Sequence, residues 1–83
     1  MITSNAELYT VVDELVAELA ELGAREQVFA LETALGISSL PGEVLGELKN
    51  QLVRIRESPF FRKPSIKSKV DASIEYIEDA LDV

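Results

Sequence analysis

The sequence of 83 residues contains no cysteine, no histidine and no tryptophan. Without cysteine, the chain has no disulfide framework, no thiolate nucleophile and no cysteine metal site. Without histidine, it lacks the commonest general base and the commonest ligand of transition metals. It also has no glycine-rich phosphate loop and no aspartate-rich calcium loop. An enzyme is therefore the least expected class, and we expect neither a cofactor nor a bound metal.

Long apolar runs are also missing. The longest uninterrupted run is Val28 to Leu31, whereas a membrane-spanning helix needs about 20 residues. The first residues, Met1 to Asn5, lack the basic and apolar regions of a signal peptide. We therefore expect a soluble, cytoplasmic protein that does not bind a membrane. A chain of this length predicts a single domain over residues 1–83 with one thin core.

The feature that the chain does have is a repeated helical pattern of apolar residues. Leucine, valine and isoleucine recur at alternating steps of three and four, a spacing that places them on one face of an α-helix. Glycines and prolines separate four such stripes. The predicted helices lie near residues 5–22, 24–35, 41–57 and 65–81. The expected fold is all-α, a small antiparallel four-helix bundle with a short second helix.

Local signals indicate where these helices begin and end. Ser4 and Glu7 have the spacing of a capping box at the start of the first helix. Gly23 follows the first stripe, where a left-handed residue often ends a helix. Since Gly23 is the only obvious break there, the first two stripes could form two helices or one kinked helix. Ser65 is expected to cap the fourth helix. The predicted core includes Leu15, Leu48, Leu52 and Ile77.

Charge is strongly segregated along the chain. Six of the eight basic residues lie between Arg54 and Lys69, a segment that sums to +5, while the other 67 residues sum to −12. In an up-down-up-down bundle, the start of the fourth helix lies next to the end of the first. We therefore expect Lys67 and Lys69 to pair with Glu18 and Glu21. The opposite end is then acidic, which favours a protein partner with a basic surface and disfavours nucleic acid.

Two surfaces are predicted to contact that partner. The acidic pole consists of four residues near the end of the fourth helix: Glu75, Glu78, Asp79 and Asp82. The loop tip consists of four residues between two prolines: Phe60, Phe61, Arg62 and Lys63. One of the adjacent phenylalanines is expected to close the end of the bundle and the other to be exposed, because both cannot easily point inward. The acidic pole is slightly preferred, since its acids have no evident structural role.

The segment 35–40, Leu-Gly-Ile-Ser-Ser-Leu, resembles the attachment motif Leu-Gly-x-Asp-Ser-Leu of acyl and peptidyl carrier proteins. The resemblance implies an acidic helical bundle that carries phosphopantetheine on Ser39. The chain departs from that motif at Ser38, in the place of the aspartate, and at Pro41. The function that we expect is instead a non-catalytic protein–protein interaction module, such as a small acidic regulator, inhibitor or immunity-type protein. A carrier protein is the alternative.

Apolar positions beside the stripes predict self-association. Tyr9, Val11 and Val16 widen the stripe of the first helix, and Phe29 lies off the core line of the second. Together they would form a larger apolar patch than monomers usually expose. A symmetric homodimer through the first two helices is therefore a further expectation, because such dimers are the commonest oligomers.

Overall fold

The computed structural model describes residues 1–82, which form four α-helices joined by short connections. The helices are α1 (Asn5–Glu21), α2 (Arg25–Leu35), α3 (Pro41–Arg56) and α4 (Pro64–Leu81), with a 3₁₀ turn at Pro59–Arg62. No residue of this described range belongs to a strand. The all-α prediction is confirmed, and every helix bound lies within one residue of its predicted position.

The helices form a ring in which each one packs against two neighbours. α1 and α3 each contact both α2 and α4, so α2 and α4 lie on opposite sides of the bundle. α2 is the short helix that the sequence predicts, with 11 residues against 16 to 18 in the other three. This arrangement directs the outward faces of α2 and α4 away from each other.

The core lies along the axis of this ring. The four predicted core residues Leu15, Leu48, Leu52 and Ile77 have no exposed surface. Other apolar side chains with no exposed surface are Leu8, Val12, Leu19, Leu31, Ile66 and Val70. Full burial of one such side chain stabilises the fold by about 1.5–3 kcal/mol relative to leaving it in water. A polar residue of α4, Ser73, is also completely buried among them.

The start of α1 is capped by a serine, as the sequence predicts. The Ser4 hydroxyl accepts a hydrogen bond from the backbone N–H of Glu7 at 3.2 Å. This bond satisfies one of the amide groups that have no partner within the helix. The Glu7 carboxylate accepts a hydrogen bond from the Thr3 hydroxyl, whereas a capping box would have it accept from the Ser4 N–H. Within residues 1–82, the predicted capping box is therefore formed only in its Ser4 half. The chain therefore enters α1 in a fixed direction.

The turn at Gly23 separates α1 from α2. Gly23 has a φ of +74°, a conformation that costs glycine little because it has no Cβ. Its N–H donates to the Ala20 carbonyl at 3.1 Å, and the Ala24 N–H donates to the Leu19 carbonyl at 3.0 Å. These two bonds form a Schellman motif, which terminates the helix. α1 and α2 are therefore two separate helices.

α4 begins differently from the prediction. Its first residue is Pro64 and its N-cap is Lys63, so the prediction that Ser65 caps the helix is wrong. Proline is favoured in the first helical position because its missing N–H needs no partner there. Ser65 lies one residue further on, and its hydroxyl donates a hydrogen bond to the Glu18 carboxylate of α1.

Candidate functional site

The acidic pole forms one stripe on the outward face of α4. Its four residues Glu75, Glu78, Asp79 and Asp82 are all exposed. Their spacing of three and four residues places them on the same side of the helix. On the inward side, Ile74 and Ile77 are buried in the core and fix the rotation of α4. The structure thus brings the four predicted residues together.

One acid of the pole has a basic neighbour. The Glu78 carboxylate lies 3.3 Å from Lys49 Nζ of α3, with 56% and 37% of the two side chains exposed. An ion pair this exposed contributes at most about 1 kcal/mol. Within residues 1–82, no cationic group lies within ion-pair distance of Glu75, Asp79 or Asp82. Most of the negative charge of the pole is therefore uncompensated.

A shallow groove borders the pole on the side of α1. It is lined by Met1, Ile2, Ala72, Glu75, Tyr76 and Asp79. The Tyr76 hydroxyl donates to the side-chain oxygen of Asn5, which holds the ring between α4 and α1. Ile2 packs partly against the core, so the first residues of the chain form one wall. The pole and this groove together offer charge beside apolar surface.

Sequence reasoning missed the groove because its two walls are more than 60 residues apart in the chain. Neither Ile2 nor Tyr76 belongs to a recognisable motif. The available signal was Tyr76 itself, which stands next to a core position of α4 while its hydroxyl needs a polar partner. Asn5, at the start of α1, supplies that partner.

The loop tip is the 3₁₀ turn together with Lys63. Phe60 and Phe61 are both half-buried and both pack against the core. The prediction that one phenylalanine is exposed is therefore wrong. Successive residues of a 3₁₀ turn diverge by about 120°, so the two rings can reach the core along different paths. Arg62 and Lys63 are exposed, so they are the loop-tip side chains that a partner could contact.

The predicted pairing between α1 and α4 is formed by one lysine. Lys69 Nζ lies 3.4 Å from a Glu18 carboxylate oxygen, and each side chain is only 24% exposed. Lys69 also donates to Ser65 Oγ at 3.0 Å, while Ser65 donates to Glu18. Lys67 lies instead over the Phe61 ring, with Nζ 5.8 Å from its centroid, within the range of a cation–π interaction.

This cluster stabilises the carboxylate of Glu18. The hydrogen bond from Ser65 is the main cause that lowers the pKa of Glu18; burial opposes it, and the Lys69 hydrogen bond and charge reinforce it. The charged form of Glu18 is therefore the one that the contacts with α4 favour. The cluster ties α1 to α4.

The serine of the carrier-like segment is exposed just before α3. Ser39 precedes Leu40, the N-cap of α3. The neighbouring Ser38 hydroxyl accepts a hydrogen bond from the Leu40 N–H at 3.0 Å and donates to the Glu43 carboxylate at 2.8 Å. Ser38 therefore fixes the connection between α2 and α3, and Ser39 beside it is exposed.

In the part of the chain that the structure describes, no three acidic side chains converge closely enough to hold a metal ion. None of the helices in residues 1–82 combines the length and the apolar character needed to cross a bilayer. In comparisons with known proteins, the chain matches no family model, no curated protein and no solved structure. The surface of the bundle is therefore the basis for any functional inference.

Proposed function

We propose that the chain is a non-catalytic protein–protein interaction module of the cytoplasm, such as a small regulator, inhibitor or immunity-type protein. In this proposal the acidic pole docks onto a basic patch of another protein. The observation that carries it is the set of three exposed carboxylates, Glu75, Asp79 and Asp82, with no cation within ion-pair distance in residues 1–82. The adjoining groove supplies apolar surface that a partner would bury.

The position of these acids is unfavourable for α4 itself. The C-terminal end of a helix carries partial negative charge, so each exposed acid there costs about 0.3–1 kcal/mol at low salt. The last turn of α4 contains no basic residue and its first turn contains no acid. Glu75 and Asp79 also repel each other across four residues by about 0.2–0.5 kcal/mol. A local arrangement that lowers stability is more readily explained by function than by folding.

Electrostatics also gives this surface a kinetic role. Complementary charge accelerates the approach of a partner, and the effect is screened beyond about 8 Å at physiological salt. The basic residues of the loop tip lie at the other end of α4. A basic partner is therefore attracted to one end of the bundle and repelled by the other.

The test compares charge reversal at the pole with the same reversal elsewhere. The pole variant combines Glu75→Lys and Asp79→Lys, and the control combines Asp13→Lys and Glu14→Lys on the exposed face of α1. Each tagged protein captures partners from a lysate of the host at low salt, and the partner is then purified. We expect the wild type and the control to bind the same basic protein, with an association rate that falls steeply as salt rises.

The pole variant should lose this complex. If it bound the purified partner as fast as the control at every salt concentration, the acidic pole would not be the contact surface. The loop tip would then be the next candidate, and it predicts different behaviour. A complex anchored by the loop tip should weaken after Arg62→Ala or Lys63→Ala and not after the pole substitutions, and it should select an acidic partner, because the exposed side chains there are cationic.

A carrier protein is the second candidate, and the exposed position of Ser39 just before α3 is the observation in its favour. The test is incubation with coenzyme A and a promiscuous phosphopantetheinyl transferase, followed by mass spectrometry of the intact protein. We expect an unchanged mass. A gain of one phosphopantetheine that Ser39→Ala abolishes would establish the carrier function in place of the interaction module.

A further inference from the structure

The outward face of α2 presents an aromatic side chain to solvent. Phe29 is 72% exposed, whereas Leu31 and Ala34 on the inward face are buried. The predicted apolar patch of the first two helices is smaller than expected, because Tyr9 and Val16 pack partly against the core of their own chain. The large apolar side chain that α2 leaves exposed is Phe29. Exposure of most of a phenyl ring to water is unfavourable, so this ring is suited to insertion into another surface.

A groove that can receive such a ring lies directly beside it. The groove is lined by Ala20, Gly23, Arg25, Val28, Phe29 and Glu32. Its wall on the side of α1 consists of small residues, and a Cβ placed on Gly23 would meet no atom within 4 Å. The projecting ring and the open groove therefore belong to one surface. A surface that carries both is complementary to a second copy of itself related by a two-fold axis.

The charges around Phe29 select one orientation of the second copy. Arg25 precedes Phe29 by four residues and Glu32 follows it by three, and both are exposed. If two α2 helices pack antiparallel with Arg25 of one copy opposite Glu32 of the other, then Phe29 lies opposite Val28 of the other copy. Val28 lines the groove. The register that pairs the charges thus also inserts the ring. Parallel packing would place like charges together.

The position of α2 in the bundle also limits repulsion between two acidic molecules. α2 and α4 lie on opposite sides of the ring, so a contact through α2 keeps the two acidic poles far apart. With 11 residues, α2 is about 16 Å long. A contact of that length buries less surface than a standard stable interface, which predicts a weak and reversible dimer.

We propose that two copies of this chain associate through an antiparallel, two-fold symmetric contact between their α2 helices. Phe29 of each copy fills the groove beside α2 of the other, and Arg25 of each copy pairs with Glu32 of the other. This contact is independent of the acidic pole, because it uses the opposite side of the bundle. The pole variant described above should therefore dimerise like the wild type.

Sedimentation velocity from low to high micromolar protein concentration tests the contact. We expect a concentration-dependent dimer for the wild type. Phe29→Ala should raise its dissociation constant by about tenfold or more, because central aromatic side chains dominate interface energies. Leu40→Ala, at an exposed apolar side chain outside α2, is the matched control and should leave the dissociation constant unchanged.

A charge exchange tests the register. Arg25→Glu alone and Glu32→Arg alone should each weaken the dimer, because each places like charges opposite one another. The double variant should restore dimerisation to the wild-type level. Arg25→Glu places an acid at the start of α2 and Glu32→Arg places a base near its end, and both changes are favourable for the helix dipole. Circular dichroism should therefore show that the variants remain folded. A wild type that stays monomeric at high micromolar concentration would overturn the proposal. A Phe29→Ala dimer as tight as the wild type, or a double variant as weak as the singles, would also overturn it.

Discussion

Ser73 provides a direct test of how the core of this bundle is stabilised. It is completely buried in α4, and within residues 1–82 its hydroxyl has no hydrogen-bond partner. Burial of a hydroxyl without a partner costs about 1–3 kcal/mol relative to water. Ser73→Ala removes that cost and leaves the rest of the side chain in place. We therefore expect this substitution in the core to stabilise the protein.

The magnitude follows from comparison with a second serine of α4. Ser68 is exposed, so Ser68→Ala changes only the intrinsic helix preference, which favours alanine by about 0.5 kcal/mol. Ser73→Ala gains the same preference and also the desolvation energy of the hydroxyl. The loss of the contacts made by one oxygen atom subtracts a few tenths of a kcal/mol. Ser73→Ala should thus raise the free energy of unfolding by about 1–2 kcal/mol more than the Ser68→Ala control does.

Urea unfolding followed by far-ultraviolet circular dichroism measures both free energies of unfolding under the same conditions. In thermal melts, each 1 kcal/mol corresponds to about 4–8 °C for a domain of this size. Equal stabilisation by the two substitutions would refute the reasoning. A loss of stability in Ser73→Ala would refute it more strongly, because it would mean that the buried hydroxyl makes a favourable hydrogen bond.

Two further predictions concern charged residues. The pKa of Glu18 is lowered in the folded protein, so the charge of Glu18 stabilises the fold. This contribution is complete above the pKa that Glu18 has in the unfolded chain, and it disappears as the pH falls through the pKa of Glu18 in the folded protein. Glu18→Gln should therefore lower the free energy of unfolding by about 1 kcal/mol near neutral pH and leave it unchanged at acid pH. Urea unfolding at both pH values measures this, and a difference that does not depend on pH would contradict it. Asp79→Asn should raise the stability of α4 by about 0.3–1 kcal/mol while weakening partner binding, whereas Asp13→Asn, in the middle of α1, should change neither. Equal shifts of the melting temperature in Asp79→Asn and Asp13→Asn would contradict the expected stabilisation. An unchanged partner affinity of Asp79→Asn would contradict the expected loss of binding.

The helices and much of the core could be predicted because their signals are local. The stripe that contains Leu48 and Leu52 needs only the period of the helix. Gly23 marks a break after the first stripe, although the sequence leaves open whether that break is a turn or a kink. The stripe of acids in α4 follows from the same period. Each of these features depends on residues within one or two helical turns, and a single sequence contains that information.

The remaining details depend on contacts between distant parts of the chain. Ser65 is a good capping residue by composition, but Pro64 sets the start of α4, and the Ser65 hydroxyl binds Glu18, 47 residues earlier. The burial of both Phe60 and Phe61 depends on the direction of the 3₁₀ turn relative to α3 and α4, which no local pattern specifies. The same is true of the groove beside the acidic pole, since the first residues of the chain form its wall.

The opposite signs at the two ends of α4 have a consequence for motion in solution. Lys63 and Lys67 lie at the start of the helix and Asp79 and Asp82 at its end, and the midpoints of the two pairs are about 23 Å apart at 1.5 Å per residue. The field of a charged surface therefore exerts a torque on the molecule in addition to a net force. Near a basic surface the protein rotates until the end with Asp79 and Asp82 leads, and near an anionic surface it rotates the opposite way. Its orientation at first contact is thus set before any side chains touch.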